Sequence, residues 1–208
     1  MTESKAVISE NIKQKLKERF KELIDEVELV LLKKEENQLT QQIKELLEEI
    51  SSLSEKISFK EEEKECLLNP CIIIKTKEKD FGIRYIGLPA GGEFQNFIDT
   101  IFMVSTNNYS LSERTLNIIE MVDKKVEIKV FITKSCGWCP LALKKLYSFA
   151  LVNDNIFVYG IDCHDFPDFA IKYNVSTVPK IVINDKVEFV GYKEENDILG
   201  YIISAVGN

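Results

Sequence analysis

The chain has 208 residues, a net charge of −7 and a pI near 5.0, with 45% hydrophobic and 29% charged residues. That balance is the profile of a folded globular protein and excludes a mainly disordered or collagen-like chain. The acidic charge argues against nucleic acid as a partner, because neutralising phosphates needs a basic face.

No apolar run approaches the roughly 20 residues that span a bilayer, so no membrane association is expected. Met1 to Lys5 lack the charged-then-apolar pattern of a signal peptide, which makes a cytoplasmic location the expectation.

In chain order, Ile8, Ile12, Leu16, Phe20 and Ile24 recur every four residues and predict a leading helix. A strand follows from Val27, then a turn and a helix carrying Ile43, Leu46, Leu47 and Ile50. The charge run Lys60-Glu-Glu-Glu-Lys-Glu65 reads as a solvated connection. Asn69-Pro70-Cys71-Ile72-Ile73-Ile74 opens another strand, Phe81 to Gly87 the next, and Phe94, Phe97, Ile98 and Ile101 mark a closing helix. After the polar, turn-rich stretch 105–110 the series starts again. Ser110-Leu-Ser-Glu113 is a capping-box pattern ahead of Leu116, Ile119 and Val122.

The second series repeats the first. Val27 to Thr40 lies over Val126 to Cys139 without a gap, at an offset of 99 residues. Val178-Pro179-Lys180-Ile181-Val182-Ile183 matches the segment around Pro70, Val187 to Gly191 matches the following strand, and Ile198, Tyr201 and Ile202 mark the closing helix. Several matched blocks in one order predict an α/β chain of two units, 1–106 and 107–208, each with a mixed sheet flanked by helices.

Cys136-Gly137-Trp138-Cys139 sits between a predicted strand and a helix opened by Pro140. A Cys-x-x-Cys pair in that setting is the pattern of a redox dithiol. Cys136 would lie at a helix N-terminus, where free N–H groups favour the thiolate, and Cys139, one turn further in, could resolve a mixed disulfide. A zinc site is not expected, since there is no second cysteine pair of that spacing and His164 is the one histidine. Pro179 comes 40 residues after Cys139. That separation suits a cis-proline loop folded back against the dithiol.

On these residues the C-terminal unit resembles a thioredoxin or glutaredoxin domain. The whole chain resembles the two-unit, glutaredoxin-like protein disulfide oxidoreductases of hyperthermophiles, with tandem thioredoxin folds. The segments that carry the likeness are Lys79 to Gly91, Cys136 to Ala142 and Val178 to Ile183. The resemblance implies thiol–disulfide exchange with protein substrates through Cys136 and Cys139, with Gly137, Trp138, Val178 and Pro179 meeting the substrate. It also implies electrons from a thioredoxin-reductase-like flavoenzyme; no cofactor or metal of the chain's own is called for. A client-binding or scaffolding module and a glutathione-dependent glutaredoxin are the alternatives. The direction of exchange stays open, because it depends on the reduction potential.

The sequence departs from that family in two ways. Members carry a dithiol in each unit, whereas here the first unit has Asn37-Gln38-Leu39-Thr40, without sulfur. Thr40 and Pro70 are 30 residues apart, which implies a shortened central helix in this degenerate unit. Second, the strand Ile128 to Ile132 carries no carboxylate to accept the Cys139 proton; Glu127 is nearest and is expected to be exposed. Cys66 and Cys71 are compatible with a disulfide across Leu-Leu-Asn-Pro, but buried free thiols are the expectation. Cys163-His164 is expected to be a bystander rather than a metal site.

Overall fold

The computed structural model describes residues 7 to 207; the first residues, on which the cytoplasmic expectation rests, lie outside them. The first series runs α1 (Glu10–Phe20), β1 (Val27–Lys33), α2 (Gln38–Ser51), β2 (Ile57–Glu63), β3 (Cys71–Thr76), β4 (Ile83–Ile86) and α3 (Gly92–Thr106). The second runs α4 (Glu113–Ile119), β5 (Val126–Ile132), α5 (Cys139–Val152), β6 (Ile156–Asp162), α6 (Pro167–Lys172), β7 (Lys180–Ile183), β8 (Val187–Val190) and α7 (Glu195–Val206). The chain is thus two tandem thioredoxin-like units, with parallel and antiparallel strand pairings in each.

All eight strands form one sheet in the order β2-β1-β3-β4-β6-β5-β7-β8. The seam is the parallel pairing of β4 with β6, Ile83 opposite Val158 through Ile86 opposite Ile161. The sheet is apolar on both faces because helices or loops cover both. Alternation along each strand divides the side chains between two cores. Val27, Leu29 and Leu31 enter the larger one with Ile128, Val130 and Ile132, while Val30 and Leu32 enter the other with Phe131 and Ile161.

The two units differ where the second core is covered. In the second unit α6 supplies Phe169, with Phe166 and Tyr173 beside it. Between β2 and β3 no helix occurs; instead the short loop bearing Cys66, Leu67 and Leu68 packs on that face. The matched helices α2 and α5 both have 14 residues, so the ten-residue difference falls on the loops and on the counterpart of α6, the helix expected to be shortened, which is missing between β2 and β3.

Several sequence expectations need correction. Residues 60–63 of the charge run are not a connection but half of β2, the outermost strand, where Lys60 pairs with Glu28 and Glu61 with Lys33 and Lys44. Side-chain charges neutralised across the sheet and onto α2 allow a strand that its composition disfavours. The leading helix ends at Phe20, and Ile12 and Ile24 are exposed; only Leu16 and Phe20 of its stripe are buried within α1. Ser112, not Ser110, caps α4 and accepts from Thr115 N–H at 3.3 Å. The gapless alignment holds through the strands but slips at the turn. Gln38, not Thr40, opens α2 as Cys139 opens α5, because the first turn is two residues shorter; Asn37 is the cap and accepts from Thr40 N–H at 2.9 Å. The first helix start remains free of sulfur.

Candidate redox site

Val126 to Ile132 is a buried strand flanked by β6 and β7, and it delivers the following turn to the end of the sheet. There Cys136 N–H donates to Thr133 O at 3.1 Å, closing the turn. Trp138 caps α5 and Pro140 takes a position in its first turn, where a missing N–H costs nothing. Cys136 and Cys139 are joined by a disulfide, Cα to Cα 5.5 Å. Cys136 is partly exposed and Cys139 fully buried. The Cys139 N–H points at Cys136 Sγ, 3.1 Å away. After reduction that donor and the start of α5 would favour negative charge on Cys136 rather than Cys139.

The Val178 carbonyl oxygen lies 3.8 Å from Cys136 Sγ. The Val178–Pro179 and Asn69–Pro70 peptide bonds are both cis. Trp138 is 62% exposed, its ring 6.2 Å from that of Tyr192, and Gly137 faces open space. The residues singled out in the second unit, Cys136, Gly137, Trp138, Cys139, Val178 and Pro179, therefore gather around one sulfur pair.

What sequence reading missed is the share of the first unit. Its loop 87–92 lies against the turn before Cys136: Gly92 N–H donates to Lys134 O at 2.9 Å, and a Cβ on Gly91, at φ +58°, would stand 2.8 Å from that oxygen. Next in the chain is Glu93, with no exposed surface. One of its oxygens accepts from Asn96 at 2.9 Å, and the other has no partner. Burial, reinforced by the charge of Asp162, raises its pKa from 4.5 to about 7. Its charge is felt by Tyr147 of α5, which shares a helix face with Leu143 and Cys139.

Asp162, opposite Ile132 at the end of β6, is also fully buried, and burial raises its pKa too. It accepts from the N–H groups of His164 and Asp165, and its other oxygen has no hydrogen bond. Glu127 is half-buried beside Lys125. The signal for Glu93 was available: it sits four residues before Phe97 and eight before Ile101, on the face that α3 buries.

Cys66 and Cys71 are joined by a disulfide, against the expectation of free thiols. The loop that replaces α6 brings their Cα atoms to 6.4 Å. Cys163 is free and half-buried, and burial pushes its thiol up to about 11. Among the described residues no group of three or more His, Cys, Asp or Glu side chains is arranged to hold a metal, and no helix is long and apolar enough to cross a membrane.

Residues 126–203 match the thioredoxin domain family. The alkyl hydroperoxide reductase AhpF of Escherichia coli is 28% identical over 180 residues, 86% of this chain and 34% of that protein. The Pseudomonas putida AhpF is 24% identical over 201 residues, 97% of this chain and 38% of that protein. The chain thus spans little more than a third of the length of these curated relatives. Among solved structures, the protein disulfide oxidoreductase of Aeropyrum pernix is 25% identical with a TM-score of 0.85, covering 96% of this chain and 94% of that one. An N-terminal domain structure of the Enterococcus faecalis AhpF shares the fold, with 20% identity and a TM-score of 0.84 over 94% of this chain and 99% of that one. The second half thus matches a thioredoxin domain, and along its length the chain is similar to two-unit, thioredoxin-fold thiol–disulfide oxidoreductases.

Proposed function

We propose that the chain exchanges disulfides with protein substrates through the single pair Cys136 and Cys139, in the unit 107–208, and that the unit 1–106 serves that site without exchanging client disulfides itself. The observation that carries the reading is the asymmetry of the pair. One cysteine is partly exposed and its sulfur receives an N–H from the helix start, and the other is buried.

In the reducing direction the Cys136 thiolate attacks a client disulfide. A mixed disulfide forms, and one client sulfur leaves as a thiolate. Cys139 then gives up its proton and attacks Cys136 Sγ, releasing the second client sulfur and restoring the intramolecular disulfide. The buried Glu93 carboxylate is the proton acceptor in this reading, since its raised pKa lets it take up and return a proton near neutrality. Trp138, Gly137 and the backbone of Val178 and Pro179 hold the client strand beside Cys136.

Electrons would come from a thioredoxin-reductase-like flavoenzyme, and the setting would be the cytoplasm. The curated relatives' name supports a client that takes part in hydroperoxide reduction. The test is reduction of insulin disulfides by the full chain and by its Cys136→Ser variant with the same reductant. Loss of turnover in the variant is expected, and substantial residual turnover would refute the single-pair reading.

A further inference from the structure

The first unit has no sulfur at its helix start, yet its counterpart of the redox pocket is not empty of sulfur. A cavity of about 400 Å³ opens between the start of α2 and the loop before β3. Asn37 and Thr40 line it from the helix side, and Cys66, Asn69 and Pro70 from the loop side. In the second unit the disulfide stands on the helix wall and faces the loop of Val178 and Pro179. In the first unit it stands on the loop wall, directly against Pro70.

The exposure pattern is the same in both units. Cys66 is partly accessible at the cavity, and Cys71 is fully buried at the head of β3. Asn69 Oδ1 accepts from Cys66 N–H at 3.2 Å, and Asn69 Nδ2 donates to Lys64 O at 3.0 Å, so the loop holds Cys66 at the cavity wall.

We propose that Cys66–Cys71 is a second exchangeable disulfide, which accepts two electrons from a dithiol presented in this cavity. A thiolate of the dithiol attacks Cys66 Sγ. The bond to Cys71 breaks as the mixed disulfide forms, and Cys71 leaves as a thiolate that takes a proton. The second thiol of the partner then loses its proton and attacks its own half of the mixed disulfide, releasing Cys66. The partner is oxidised to a disulfide, and Cys66 and Cys71 are reduced to two thiols. The reduced pair is a weak attacker of other disulfides, because Cys71 is buried and Cys66 has no helix start behind it. It therefore works as an electron acceptor and adds nothing to insulin reduction.

The test uses the full chain with Cys136→Ser and Cys139→Ser, and dithiothreitol as the dithiol probe. Native protein is reduced, quenched in acid, alkylated and peptide-mapped, with and without guanidinium. The expected result is one adduct each on Cys66 and Cys71, appearing together and beyond any on the free Cys163, at equal yield in native and unfolded samples. A disulfide that opens only in guanidinium would show a structural bond and overturn the proposal. Free Cys66 and Cys71 after treatment with a thiol oxidant would overturn it as well. The same mapping on the wild-type chain gives the answer independently of how the double variant folds.

Discussion

Glu93→Gln gives the most quantitative test of how the first unit serves the redox pair. The amide has the shape of the protonated carboxyl and can keep the hydrogen bond from Asn96. In the folded chain Glu93 titrates near 7, against 4.5 in its ordinary state. At about 1.4 kcal/mol per pKa unit, the fold prefers the protonated form by about 3 kcal/mol. Because the folded pKa is the higher one, this stabilisation is complete below pH 4.5 and is lost as pH rises through 7. The oxidised wild-type chain should therefore lose about 3 kcal/mol relative to the variant between pH 4.5 and 8. Asp162 is shifted the same way by burial, so the difference between the two proteins, rather than either curve alone, isolates Glu93. Guanidinium unfolding at four or five pH values measures it. Parallel curves would refute the claim that the fold holds this carboxyl protonated, and with it the proton-acceptor role.

Alkylation of the reduced chain at mildly acidic pH should label Cys136 well before Cys139; equal or reversed labelling would unseat the nucleophile. Cys139→Ser should trap a mixed disulfide with a client on a non-reducing gel, and Cys136→Ser should not. Gly91→Ala places a Cβ where 2.8 Å separates it from Lys134 O at a φ of +58°, so a loss of about 1–3 kcal/mol and a slower insulin turnover are expected. Unchanged melting and turnover would mean that the loop does not set the turn before Cys136. The fragment from Asn107 onward uncovers the edge of β6 and lacks Glu93; it should melt lower than the full chain, associate through that edge, and reduce protein disulfides less efficiently. Equal melting and turnover would remove any role for the first unit.

The sulfur pair and its surroundings were readable because they are local. Cys136 to Pro140 encode a turn and a helix start, and Val178-Pro179 announces the next strand. The tandem order was readable as well, since each strand repeats its apolar run. What escaped was long-range. Nothing in residues 83–86 names β6 as a neighbour rather than an outer edge, so which strands join the two sheets appears only in the folded chain. Glu93 lies in the unit without the dithiol, next to Gly92, whose N–H reaches the turn before Cys136 only because the two sheets merge. Residues 60–63 misled for the opposite reason. Their composition is that of a loop, and the ion pairs to Lys33, Lys44 and Glu28 that make them a strand join segments far apart in sequence.

That outermost strand has a bearing on how copies of the protein meet. A sheet rim with free N–H and C=O groups invites a second chain to add on. Here the rim carries Glu61, Glu62 and Glu63 against Lys60 and the neighbouring Lys64, with the lysines that pair with Glu61 set on β1 and α2, so two such rims approaching each other still set net negative charge against net negative charge. The repulsion acts before any hydrogen bond can form, over a screening distance of about 10 Å at 0.1 M salt and about 3 Å at 1 M. Colloidal stability of the chain should thus be tied to ionic strength, with dilute buffer keeping molecules apart and concentrated salt removing the barrier on this side.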